Sequence, residues 1–422
     1  MRSLLTSLVA LASGHAALAA FTSLTAKETF ARMTPGWNLG NTLDALPTEG
    51  SWMAPVQNVT FSQVYADGFR SVRIPITFND HFISDAPNYT VDPAWLSRIN
   101  YVVDAALSTG LFVVVNVDAD KALVESEIKP VRGNFSVPIL MGEYSTSAPG
   151  IAIEKASAWA WFDTVTRTAL KYEIVPQWWD NGGEYFDRVT GKWRDITTRN
   201  IVMAIAAGKI NSYPYSGNGT VWLKSGVSTI QPIYMQYNGN QLKGIYTPSG
   251  TQLSSGKDYT VVNSPLPGFV LTPSYINSLG ATSKLGELGR VIVKLSAGAD
   301  LEIDIRRYTR PTVPSGTINV SGTSGDYLFN HTPNGAKLAT VKALGPNGEY
   351  LKDDWTQWLG PLQAGRINWN GDYSLSDDQT QLIIRASLLS AIKSFGKPVT
   401  LTWEFWPRTD ASNTATTVVT VT

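Results

Sequence analysis

The residues best placed for chemistry lie where apolar runs end. They are Asn41 with Asp44 after GWNLGN (36–41), Arg73 in FRSVRIPI (69–76), Asp118 and Asp120 after LFVVVNV (111–117), Glu143 closing VPILMGE (137–143), and Trp179 with Asp180 closing YEIVPQWW (172–179). Hydrolysis of a glycosidic bond needs one carboxylate as nucleophile or base and one carboxylic acid to protonate the departing oxygen. Carboxylates beside an arginine, with a tryptophan at the same rim on which a sugar's C–H face could stack, suit that reaction. Each residue also has a plainer reading. Arg73 could be a barrel ion pair, Trp179 a core aromatic and Glu143 a structural carboxylate; residue types alone do not choose.

The elements that would hold these groups alternate strand and helix up to about residue 208. Runs 111–117 and 137–143 are nearly continuous in Val, Ile and Leu, as in parallel strands buried on both faces. Helical patterns are predicted over 94–110 and 197–208, closed by Gly110 and Gly208. Such alternation predicts a parallel sheet with outer helices, as in a (β/α)8 barrel, whose catalytic groups gather at the C-terminal ends of the strands. After NSYPYSGNG (211–219) short alternating runs separated by turns take over. Two all-β modules, read as sandwiches, are predicted over 211–310 and 311–422, with TRPTVPSGT (309–317) as a linker.

Composition narrows the function. The 422 residues carry 34 basic and 34 acidic side chains with no long run of one sign, which argues against nucleic acid or an anionic membrane as partner. With no Cys, there is neither a thiol nucleophile nor a zinc–thiolate site. His15, His81 and His331 are the only histidines and lie far apart, so a Ser-His-Asp triad or a multi-histidine metal site is not expected; no metal and no cofactor are called for. Fourteen Trp and seventeen Tyr point to flat, uncharged ligands, although any single one is more often core. Residues 1–20, with one Arg, an apolar stretch and small residues at Ala17-Leu18-Ala19, read as a secretory signal peptide, which makes the mature chain extracellular. Six Asn-X-Ser/Thr sequons, at Asn58, Asn88, Asn134, Asn218, Asn319 and Asn330, suit that compartment. The expected state is a monomer.

The segments GWNLGNTLDALPTEGSW, SVRIPITFNDHF, VPILMGEYSTS and WWDNGGEYFDR together resemble glycoside hydrolase family 5, the clan of endo-β-1,4-glucanases, over roughly residues 25 to 208. The resemblance implies a (β/α)8 barrel acting by the retaining mechanism on β-glucan, without a cofactor. Matched position by position, Glu143 would be the nucleophile and Arg73 would orient it. Trp179, with Asp180 beside it, would stack under the glucosyl unit being cleaved, and Trp37, Asn38 and Asn41 would line the cleft floor. The later segments resemble the immunoglobulin-like module X2 and carbohydrate-binding module family 46. In such a module Trp355, Trp358, Trp369, Trp403 and Trp406 are the candidates for glucan stacking.

The family pattern breaks between the third and fourth apolar runs. The family's acid/base glutamate belongs to an Asn-Glu-Pro motif, and this sequence contains no Asn-Glu pair. The run VVVNV passes directly into DADKALVESEIKPVRGNF, where one short helix at about 121–129 is predicted. About five strands are counted where the barrel needs eight, and the first domain, 21–210, falls short of the ~250 residues typical of that barrel. The domain therefore reads as internally truncated near 117–121, with the acid/base residue unknown. Three explanations compete: a gene model or splice form that skipped the middle of the barrel, which is favoured; a secreted protein that binds glucan without cleaving it; or an enzyme recruiting Asp118, Asp120, Glu125 or Glu127 as acid. The last would require chance to place two carboxyls ~5–5.5 Å apart.

Overall fold

Five short parallel strands organise the N-terminal region: β1 (Gly36–Asn38), β2 (Ser71–Ile76), β3 (Phe112–Val117), β4 (Ile139–Tyr144) and β5 (Ile174–Trp178). The computed structural model describes residues 24–57, 59–77, 92–117, 139–146, 154–171, 173–182, 185–215, 217, 219–280, 283–349, 351, 373–376 and 380–421. Asp118, Asp120, Glu125, Glu127, the 121–129 helix, Trp355, Trp358, Trp369, His81, the leader 1–20 and the sequons at Asn58, Asn88, Asn134 and Asn218 lie outside the described residues.

The strand order is β3-β2-β1-β5-β4. The last strand of the region thus lies beside the first, through Gly36 opposite Gln177 and Trp37 opposite Trp178. That is the closing seam of a barrel, here within a sheet of five strands with β3 and β4 at its edges among the described residues. β2 is buried at all six positions, its apolar residues interrupted only by Ser71 and Arg73, both of which are hydrogen-bonded. The helix Pro93–Ser108 starts with Pro93 at its first position and an Asp92 cap, and Gly110 follows its end at φ +91°. The helix Ile196–Ala206 is capped by Asp195, whose carboxylate accepts from the backbone of Thr197 and Thr198. Both match the sequence reading to within two residues.

A third helix, Lys155–Lys171, ties the sheet to the first of the β-rich regions. Glu154 accepts from the N–H groups of Ala156 and Ser157 at its start and from those of Gly217 and Gly219 in the connecting segment. One carboxylate thereby caps the helix and holds the connection. On the far side, Trp159, Ile201 and Ile205 enter the core of the second region, with Met235, Phe269, Val291 and Ile303. Lys155 and Arg290 both reach the largely buried Asp304, at 2.6 and 2.8 Å.

The second region places two four-stranded sheets around that core, and the third places a four-stranded and a three-stranded sheet around Phe329, Leu382, Leu401, Trp403 and Phe405. Both regions are β-rich rather than all-β. Pro273–Ser278 and Ala386–Phe395 are helices, the latter supplying Leu388, Leu389 and Ile392 to the third core. The run ASLLSAIKSF places its apolar residues three and four apart, the helical spacing that a reading tuned to alternation passes over. No helix among the described residues is long and apolar enough to cross a membrane.

Candidate active site

Glu143 sits near the C-terminal end of β4, where the register against β5 shifts between Met141 and Tyr144. Such an irregularity re-aims side chains. Tyr144 is buried, with its hydroxyl 3.1 Å from Thr166 on the helix side, while the Glu143 side chain remains half exposed. Arg73 Nη1 donates to Glu143 Oε1 at 2.8 Å and to Asn38 Oδ1 at 3.0 Å. The Asn38 amide donates in turn to the carbonyls of Gly142 (3.0 Å) and Gln177 (2.9 Å). A guanidinium with no acceptor role, held by a buried amide, thus fixes one oxygen of Glu143.

Trp179 continues β5 beyond Trp178, and strand alternation sends the two indoles to opposite sides. Trp178 is fully buried among Phe162, Tyr185 and Trp193. Trp179 joins Glu143, Met141, Tyr144, Ser145, Trp161 and Val165 around an open cavity of about 440 Å³. Its ring passes so close to Gly40 that a Cβ there would lie 2.4 Å from Trp179 Cη2, so glycine is required at this approach.

Several residues expected in the cleft stand behind it. Trp37 is fully buried, packs edge-on against Phe186 and donates from Nε1 to Asp180 Oδ2 at 3.2 Å. Asp180, 1% exposed, also accepts from the backbone of Gly182 and Phe186. Burial pushes its carboxyl up, against the pull of the Arg188 charge and these donors. Three N–H groups aimed at a carboxylate with no route to solvent leave it no part as a proton donor. Trp37, Asn38 and Asp180 therefore support the site rather than bind substrate. Asn41, at φ +57° and partly exposed, remains at the rim, with its N–H on Asp44 at 3.1 Å.

In the third region Trp403 is fully buried, donates to Thr417 at 3.0 Å and packs against Phe329 and His331, so it is core and has no face for a glucan. Its strand, Val399–Trp406, alternates buried and half-buried positions, and that period-two pattern was the available signal. Trp406 lies on the outer side, half-buried, beside the Arg408 guanidinium. Sequence reasoning missed Gly40 and Arg188 altogether, although Arg188 closes the WWDNGGEYFDR segment.

The sheet seam thus brings Arg73, Glu143 and Trp179 together at the C-terminal edge of a barrel-like parallel sheet. The family described as Cellulase (glycosyl hydrolase family 5) matches residues 38–135. Endoglucanase B of Paenibacillus lautus is 22% identical over 556 aligned positions, covering 94% of this chain and 93% of that protein. Endoglucanase A of Paenibacillus barcinonensis is 44% identical over 113 residues, which are 26% of this chain and 28% of that protein. Among solved structures, a tri-modular family 5 (subfamily 4) endo-β-1,4-glucanase of Bacillus licheniformis complexed with cellotetraose is 27% identical, with TM-score 0.77 over 94% of this chain and 100% of that one. Endo-β-1,4-glucanase B of Bacillus halodurans, at 19% identity and TM-score 0.71, shares the fold. Residues 38–135 thus match the family 5 glycoside hydrolase model, and over most of its length the chain is similar to endoglucanases of that family.

The alignment with the Paenibacillus lautus protein runs to 556 positions, to which this chain contributes 94% of its 422 residues, so about 160 positions of the alignment hold no residue here.

Proposed function

We propose that this chain is a secreted, retaining-type endo-β-1,4-glucanase in which the nucleophile half of the centre is assembled and its acid/base partner is lacking. The observation that carries the reading is the Arg73–Glu143 contact of 2.8 Å, with Glu143 half exposed in a cavity that Trp179 also lines. Glu143 is the nucleophile, Arg73 its orienting cation and Trp179 the sugar platform; the substrate is cellulose, xyloglucan or mixed-linkage β-glucan. Without an acid the natural leaving oxygen departs unprotonated, so polymer is cleaved slowly or not at all. The alignment positions without a residue here support an internal omission, and the transcript across codons 117–121 tests it. A longer product encoding an Asn-Glu-Pro segment means an ordinary glucanase.

The second and third regions are read as an X2-type immunoglobulin-like module and a glucan-binding module of family 46, with Trp406 as the remaining described candidate for stacking. Half-burial of Trp406 on an outer face favours a second reading, a glucan-binding protein without hydrolysis. A monomer acting outside the cell, with neither nucleic acid nor membrane as partner, fits both.

A substrate that needs no acid separates them. 2,4-Dinitrophenyl β-cellobioside carries a leaving group that departs as its anion. The enzyme reading expects a burst of dinitrophenolate stoichiometric with protein, turnover accelerated by azide, and a β-cellobiosyl azide product; Glu143→Gln abolishes all three. Absence of a burst, with glucan binding intact, would leave the binding reading.

A further inference from the structure

Arg188 has no assigned part in the chemistry, yet it is only 1% exposed and its head spans two rim segments. Nη2 donates to the Gly40 carbonyl at 2.7 Å and to the Asp180 carbonyl at 3.1 Å, and Nη1 donates to Thr42 Oγ1. Gly40 N–H donates to the same Asp180 carbonyl at 3.1 Å. The guanidinium lies 5.6 Å from the Trp37 ring centroid, and Trp37 in turn holds the Asp180 carboxylate.

These contacts join the segment after β1 (Gly40 to Thr42) to the segment after β5 (Asp180). Trp179 sits between them, adjacent in sequence to Asp180 and packed on Gly40 without room for a methyl group. Placing a cation in such a position is costly unless its donors are used. The Asp180 and Asp44 charges offset part of that cost, but the hydrogen bonds of the head go to two backbone carbonyls and a hydroxyl of the two rim segments. The fork geometry of a guanidinium suits that task, and a lysine reproduces only part of it.

We propose that Arg188 is a positioning residue for Trp179, locking the two rim segments together so that the indole forms a rigid platform beside Glu143. The inference rests on the proposed glucanase reading for what the platform holds, but the locking itself is read without activity.

The experiment uses the full chain labelled with 5-fluorotryptophan, with the Trp179 ¹⁹F line assigned by its loss in Trp179→Phe. In the wild type this line is expected to be single and narrow. Arg188→Met is expected to shift or broaden it while the Trp403 and Trp406 lines stay in place, and Arg188→Lys to restore it in part. An unmoved Trp179 line in folded Arg188→Met overturns the proposal. Should that variant fail to fold, Thr42→Val removes one contact only, and an unmoved line there overturns it equally.

Kinetics with 2,4-dinitrophenyl β-cellobioside add the consequence. Trp179→Ala and Arg188→Met are each expected to raise KM about tenfold, and Arg188→Met in the Trp179→Ala background to add less than twofold. Additive losses overturn the positioning role. A wild type that shows no burst but has a ¹⁹F response to Arg188→Met sinks the glucanase reading and leaves the locking intact.

Discussion

Arg73 on β2 reaches Glu143 on β4 at 2.8 Å although β1 and β5 lie between their strands. Three inter-strand steps of ~4.8 Å separate those strands along the sheet. Side chains standing perpendicular to a flat sheet would not meet over that distance. The contact requires the sheet to curl toward its inner face, as barrel strands do. Asn38 shows the same curl, since its amide on β1 reaches the Gly142 carbonyl on β4 across β5. Five strands thus hold enough barrel curvature to bring the Glu143 carboxylate and the Arg73 guanidinium together.

Asn38 is the keystone of this arrangement. Asn38→Ala removes one acceptor of Arg73 and leaves the carbonyls of Gly142 and Gln177 without that donor. A loss of about 2–4 kcal/mol in unfolding free energy is expected, from one or two buried groups left unpaired at ~1–3 kcal/mol each. The dinitrophenyl cellobioside burst should slow at least tenfold. Urea unfolding and burst rates check the two effects; a variant with unchanged stability would show that the amide does not hold the sheet in this way.

Trp403 and Trp406 make a contrasting pair on one strand. Trp403→Ala empties the third core and should cost about 3–5 kcal/mol, seen as early unfolding of that region. Trp406→Ala should leave stability within about 0.5 kcal/mol and weaken retention on immobilised β-glucan. Equal retention by the wild type and Trp406→Ala would remove Trp406 from the binding face.

The junction at Asp304 should give the chain an acid limit. Burial alone would raise this carboxyl, but the Lys155 charge and hydrogen bond, followed by those of Arg290, hold it below its ordinary value. A carboxyl with a depressed folded pKa adds stability that is complete above the unfolded value near 4 and is lost as pH falls through the folded one. Wild-type unfolding midpoints should therefore drop steeply below about pH 4. Asp304→Asn should be less stable at pH 7 by about 3–5 kcal/mol, because Lys155 and Arg290 lose their shared anion, and its stability should fall less steeply with acid. Parallel acid slopes in the two proteins would rule the junction out.

The residues of the site were legible to different depths. The strands could be read from their apolar runs, although the runs expected to be buried on both faces, 111–117 and 137–143, lie at the edges of the described sheet and are half-buried, with Val115 49% exposed. Glu143 could be read because such a run ends near it, and Arg73 because a charge inside a strand stands out. The helices at 93–108 and 196–206 announced themselves through a Pro or Asp start and a Gly stop. Arg188 could not be read this way, since nothing in FDR says that an arginine turns inward to bond the Gly40 carbonyl 148 residues earlier in the chain. Trp37 and Trp179 look alike in sequence, each a tryptophan at a strand end, yet one is sealed under Phe186 and the other lines the cavity.

Local patterning by itself thus determined which segments become strands and helices, where the β-rich regions begin, and which carboxylate ends the fourth strand, because burial and capping act over a few residues. Tertiary structure alone decided that β5 closes against β1, that Asn38 holds Arg73 on Glu143, and that Asp180 and Trp403 are withdrawn from any ligand. Those outcomes depend on the curl of the sheet and on contacts between residues far apart in sequence, for which the chain carries no local mark.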